Sequence, residues 1–163
     1  MTEKLVIGVA GLGTLGEVRA RDVAQLENAR LGAVASRRPS VAHLIAQRYN
    51  ADRFYTDYAQ LYADPKLDAI IISTAIVDHV DHITQAAESG LHIFVEKPVS
   101  FTLEEIDRAL ATVEKAGVHC QVGFQRRFDP GYVAAKQKIE AGVIGHPVLF
   151  KGTSRDPFWP EKQ

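Results

Sequence analysis

One stretch constrains the fold of this chain more than any other. The apolar run Leu5 to Ala10 leads directly into GLGTLG, Gly11 to Gly16, and then into a pattern with a helical period. A strand that breaks into G-x-G-x-x-G and reopens as a helix predicts a phosphate cradle at the helix N-terminus. The three glycines serve different ends. Gly11 permits the tight turn, Gly13 lets a pyrophosphate approach the backbone, and Gly16 lets the helix pack closely on the strand. The amides of Thr14 and Leu15 then point at the anion, aided by the helix dipole. The plainer alternative is a tight strand-to-helix turn with no ligand. The helix is expected over Thr14 to Glu27, with Leu15, Val18, Val23 and Leu26 turned inward.

The same alternation continues along the chain. Strands are expected at Leu31 to Ala35, Phe54–Tyr55, Ala69 to Ser73, His92 to Val95 and Val118 to Val122. Helices are expected at Pro39 to Tyr49, Tyr58 to Tyr62, Asp78 to Ser89 and Thr102 to Gly117. Strands spaced by helices of this length give a doubly wound parallel α/β sheet with right-handed crossovers. Past Gly123 the rhythm changes, to one more helix at Pro130 to Ala141 and a strand at Pro147 to Gly152. The expected division is a dinucleotide-binding domain over 1–122 and the start of an incomplete α+β domain over 123–163. A strand left without partners offers an open apolar edge, so self-association is expected through Val148 to Lys151.

Composition narrows the possible partners. The 163 residues carry a net charge of −1 with no basic block, which excludes a nucleic-acid footprint. No run approaches the ~20 apolar residues of a membrane span, and the N-terminus lacks a signal-peptide core. The single cysteine, Cys120, cannot form an intramolecular disulfide and reads as a structural thiol. A cytoplasmic setting is expected, and no metal site is.

Two further stretches bear on chemistry. Where an acid would accept hydrogen bonds from the adenosine ribose, at the end of the second strand, stand Ser36, Arg37 and Arg38. A hydroxyl followed by two guanidinium groups suits a 2′-phosphate, which favours NADP while leaving NAD possible. Alternatively, both arginines simply solvate the next helix start. Glu96-Lys97-Pro98 follows the strand HIFV, and so places Lys97 at the ligand-binding edge of a parallel sheet. Pro98 restricts the backbone of Lys97. A cation there can ease proton loss from a substrate hydroxyl.

Taken together, GLGTLG, STAIVDH (Ser73 to His79), VEKPVS (Val95 to Ser100) and GFQRRFDP (Gly123 to Pro130) resemble the Gfo/Idh/MocA oxidoreductases. The final IGHPVLFKGTSRDP is most similar to the inositol dehydrogenase branch. The resemblance implies a Rossmann domain for NAD or NADP, followed by an α+β domain, and hydride transfer to or from a polyol, cyclitol or sugar. It implies that Gly11, Gly13 and Leu15 lie along the pyrophosphate and that Ser36, Arg37 and Arg38 meet the adenosine ribose. It places Ser73, Thr74 and His79 along the cofactor, Glu96 and Pro98 near its nicotinamide end, Lys97 at the catalytic centre and Arg127 in the substrate pocket. For His79 a helix-start histidine with local hydrogen bonds is the alternative. The family's catalytic Asp-x-x-x-His has no counterpart after EKP, so the 163-residue chain alone is expected to bind nucleotide and turn over poorly. A stand-alone nucleotide-binding or regulatory module is the other reading.

Overall fold

The computed structural model describes residues 4–155. In chain order the first elements are β1 (Leu5–Ala10), α1 (Thr14–Ala24), β2 (Ala29–Ala35), α2 (Pro39–Tyr49), β3 (Arg53–Tyr55) and α3 (Tyr58–Tyr62). They are followed by β4 (Ala69–Ile72), α4 (His79–Glu88), β5 (His92–Val95), α5 (Leu103–Ala116), β6 (Cys120–Val122) and α6 (Pro130–Glu140). The six strands form one sheet in the order β3-β2-β1-β4-β5-β6, every neighbouring pair parallel. The order reverses at β1/β4, the switch point at which such sheets bind ligands.

Strand alternation sends one core to each face. Val9 and Val34 join Leu31, Ala20, Val23, Ala42 and Ile45 beneath α1 and α2. Ile70, Ile72, Ile93 and Val95 pack with Leu61, Val80, Ile83 and Val113 beneath α3, α4 and α5. A bulge at Gly32 sets the register between the first two strands. Ile7 faces Leu31 but Gly8 faces Ala33, so Ala10 ends opposite Ala35. Without that extra residue every later side chain of β2 would turn to the other face.

Several boundaries differ from the expectation. α1 ends at Ala24, short of Glu27, and β2 begins at Ala29. The buried residues of α1 are Gly16, Ala20 and Val23, whereas Leu15 and Leu26 are 44% and 48% exposed. Gly16 and Ala20 let the helix lie too close to the sheet for a leucine on that line. Thr102 caps α5 by accepting from the Glu105 amide at 3.4 Å, as its position predicts.

The chain divides into two compact units between Phe124 and Gln125. In the second, Asp129 caps α6 through the Gly131 and Tyr132 amides at 3.0 and 3.3 Å. No described residue of that unit is buried. The strand expected at Pro147 to Gly152 does not form. Val148, Leu149 and Phe150 are 93%, 88% and 88% exposed, and no described strand pairs with them. β-branched and aromatic residues make a strand only against a neighbour. The open strand edge expected at Val148 to Lys151 is therefore not formed.

Candidate functional site

Five residues that immediately follow strands prolong the sheet ladder by one hydrogen bond each, Gly123 after β6 donating to Val95 at 2.9 Å. The amides of Ser36, Gly11, Ser73 and Glu96 donate to Tyr55, Ala35, Ala10 and Ile72 at 3.2, 3.0, 2.8 and 3.0 Å. Residues from four separate sequence motifs thus stand in one row along the C-terminal edge of the sheet.

The glycine loop occupies the centre of that row. Gly11 has φ +87°, and a Cβ there would lie 2.7 Å from the Ser73 carbonyl group and the Thr74 nitrogen. At Gly16 a Cβ would fall 1.8 Å from the Gly11 oxygen. Gly13 is different, because nothing stands within 4 Å of its would-be Cβ. Two glycines are thus required by the protein's own backbone, while the third opens onto free space. Gly13 is the N-cap of α1 and no side chain caps that end. Nearby, Ser73 Oγ and Thr74 Oγ1 are shielded from solvent without a hydrogen-bond partner. Uncapped amides beside unsatisfied hydroxyls (Thr14 and Leu15 lie in the first turn) match the donors that a dinucleotide's pyrophosphate and ribose need.

At the β2 end, Ser36 is buried and its Oγ accepts from the Arg38 amide at 3.2 Å, leaving its O–H free to donate. Arg37 and Arg38 are exposed. Arg38 lines a cavity of about 570 Å³ together with Gly13, Thr14, Val41 and Tyr49. Glu17 shares this cavity but is engaged by Arg48 and by the Tyr49 hydroxyl. Its charge is therefore largely answered before an anion arrives.

At the other end of the row, Glu96 is 6% exposed and Lys97 is exposed, with a cis peptide joining Lys97 to Pro98. Glu96 Oε1 accepts from Arg19 Nε and Nη2, each at 2.7 Å. Sequence reasoning missed Arg19, since nothing in its local pattern points 77 residues ahead to Glu96. His79 is 1% exposed and its ring nitrogens face two main-chain carbonyls, Pro98 at 3.0 Å and Thr74 at 3.2 Å. A neutral ring donates to one of these, an imidazolium to both. Arg127 lies in the second unit, around a cavity of about 650 Å³ with Arg126, Tyr132 and Lys136. Among the described residues no cluster of three or more His, Cys, Asp or Glu could hold a metal, and no helix is long and apolar enough to cross a membrane.

A parallel sheet with its switch point at β1/β4, and a glycine loop opening there beneath an uncapped helix, define a dinucleotide-binding α/β domain. Comparison with known proteins agrees. Residues 5–124 match the family described as an oxidoreductase family with an NAD-binding Rossmann fold, and the chain belongs to this Gfo/Idh/MocA family. It is 41% identical over 157 residues to the scyllo-inositol 2-dehydrogenase (NAD(+)) of Bacillus subtilis, covering 96% of this chain and 46% of that protein. It is 33% identical to the myo-inositol 2-dehydrogenase of Thermotoga maritima, over 94% and 46% of the two chains. The crystal structure of scyllo-inositol dehydrogenase from Lactobacillus casei, with bound NAD(H) and scyllo-inositol, superimposes with a TM-score of 0.84 at 30% identity, over 88% of this chain and 43% of that one. The chain thus spans about half the length of the relatives it matches.

Proposed function

We propose that this chain forms the cofactor-binding part of a dehydrogenase that moves hydride between a nicotinamide and the hydroxyl or ketone of a polyol, cyclitol or sugar. The observation that supports this reading is the row of Ser36, Gly11, Ser73 and Glu96, which runs along the C-terminal edge of the sheet through the glycine loop and ends beside Lys97. In it, the amides opening α1 hold the pyrophosphate and the hydroxyls of Ser73 and Thr74 take the bonds they lack. Glu96 Oε2, not used by Arg19, is free to accept from the nicotinamide ribose. Lys97 meets the substrate oxygen and assists its proton transfer. The bound nicotinamide supplies or receives the hydride. Arg127 is assigned to the substrate side by the family resemblance alone.

NADP is the proposed preference. No acid stands at the β2 end to repel a 2′-phosphate, and Ser36, Arg37 and Arg38 together offer a hydroxyl and two guanidinium groups. The Bacillus subtilis relative carries NAD(+) in its name, so the choice is tested on this chain directly. Calorimetric titration is expected to give NADPH at least tenfold tighter binding than NADH. Replacing Arg37 and Arg38 by alanine should abolish the difference by weakening NADPH alone. Equal affinities that the mutations leave unmoved would refute the NADP preference.

No Asp-x-x-x-His, the pair that the family resemblance calls for, follows Lys97 in these residues. Loss of a general acid–base group costs about 10²–10⁴ in rate. The 163-residue polypeptide is therefore proposed to bind cofactor with little or no turnover of inositols, which a steady-state assay at 340 nm checks. The use of one cysteine and no disulfide fits a cytoplasmic setting.

A further inference from the structure

Lys97 stands between two residues that are each held from elsewhere in the first unit. On its N-terminal side, Glu96 is tied to Arg19 in the second turn of α1. The Arg19 guanidinium also lies 5.5 Å from the ring centre of Phe94, two residues earlier on β5. On its C-terminal side, the Pro98 carbonyl faces His79 Nδ1, whose ring reaches with its other nitrogen to the Thr74 carbonyl. Gly123 closes in from β6, where a Cβ would lie 3.1 Å from Glu96 Oε2. The lysine side chain itself is exposed.

We infer that Arg19 and His79 are positioning residues for Lys97. Arg19 links the lysine's backbone to the helix whose first turn opens the glycine loop, and His79 links it to the Ser73–Thr74 segment. Their partners bracket one residue; His79 and Glu96 are buried and Arg19 partly so, while Lys97 is exposed. A partly buried ion pair such as this one, with Arg19 24% exposed, gives little net stability over an apolar pair of the same size, so its consequence lies in geometry. Misplacing a reacting group by about 1 Å costs on the order of 10² in rate. Anchoring the lysine to the segments that hold the cofactor fixes it relative to the cofactor and not merely to the sheet. The inference rests on the proposed role of Lys97 in hydride transfer.

The test uses the 163-residue chain with Arg19→Met, Arg19→Lys and His79→Phe. The first measurement is the backbone ¹⁵N order parameter of Lys97 without nucleotide. Arg19→Met and His79→Phe are each expected to lower it from the rigid range of about 0.85 to below about 0.6, with β1 and β4 unchanged. Arg19→Lys should retain most of the order. The second measurement compares NADH with ADP-ribose, which lacks the nicotinamide. Arg19→Met should weaken NADH at least fivefold and ADP-ribose less than twofold. Unchanged order at Lys97, or loss of order across the whole sheet, overturns the proposal, as does equal weakening of the two ligands. If Arg19→Met unfolds the chain around a stranded Glu96, combining it with Glu96→Gln removes the unpaired charge, and the order parameter of Lys97 then decides. If the unaltered chain binds neither ligand, the dinucleotide reading fails, while the order parameters still decide the brace.

Discussion

At the scale of single residues, the three glycines of the loop separate into two kinds. Gly16→Ala forces a methyl group to within 1.8 Å of a main-chain oxygen that cannot step aside. Thermal denaturation should show a loss of at least the about 1–3 kcal/mol typical of overpacking, with nucleotide binding gone. Gly13→Ala meets no protein atom, so its stability should stay within about 0.5 kcal/mol while cofactor affinity falls more than tenfold. A Gly13→Ala protein that binds nucleotide normally would mean that the open space is not a phosphate site. The spacing of these glycines was legible in the sequence because all three fall within one strand-to-helix turn of six residues, although Gly11 works against Ser73 and Thr74 from another strand end. Arg19 was not, because its meaning depends on Glu96 arriving after four intervening strands. His79 was legible as a motif residue, but not as a bridge between two carbonyls.

At the scale of elements, α4 carries a second buried histidine with a different consequence. His82 packs edge-on to Tyr58 at 4.7 Å and beside Tyr62 at 5.8 Å, and its Nδ1 has no partner. Burial, with lesser help from the charges of His79 and Arg37, holds its pKa below the ordinary 6.5 despite Asp78 and Asp81. The unfolded chain therefore binds this proton more readily than the folded one. The stability of the first unit is expected to be full above pH 6.5 and to decline as pH falls through and below that value. Melting temperatures from pH 7.5 to 5.0 will show it, and His82→Phe should flatten the slope. The elements themselves were read well where hydrophobic period and a neighbour agree, as for β4 or α5. They were misread where period stood alone: Pro147 to Gly152 has the right residues for a strand, but no described strand for them to pair with. Leu15 and Leu26 fitted an inward stripe whose place is taken by Gly16, Ala20 and Val23.

At the scale of the whole molecule, both hydrophobic cores lie within the first unit, on opposite faces of one sheet. Residues 1–124 should therefore fold alone and bind nucleotide as tightly as the full chain, within a factor of about two by titration. A fragment that is unfolded by circular dichroism would show that the remainder contributes to the core. The ladder that extends one residue past β1, β2, β4 and β5 bears on how that binding is reached. Ser36, Gly11, Ser73 and Glu96 lose their main-chain freedom when the sheet forms, before any ligand is present. A nucleotide laid across them meets groups already at rest, so association should need no slow rearrangement. Its rate would be set by diffusion and by charge at the two arginines, rising as salt is removed.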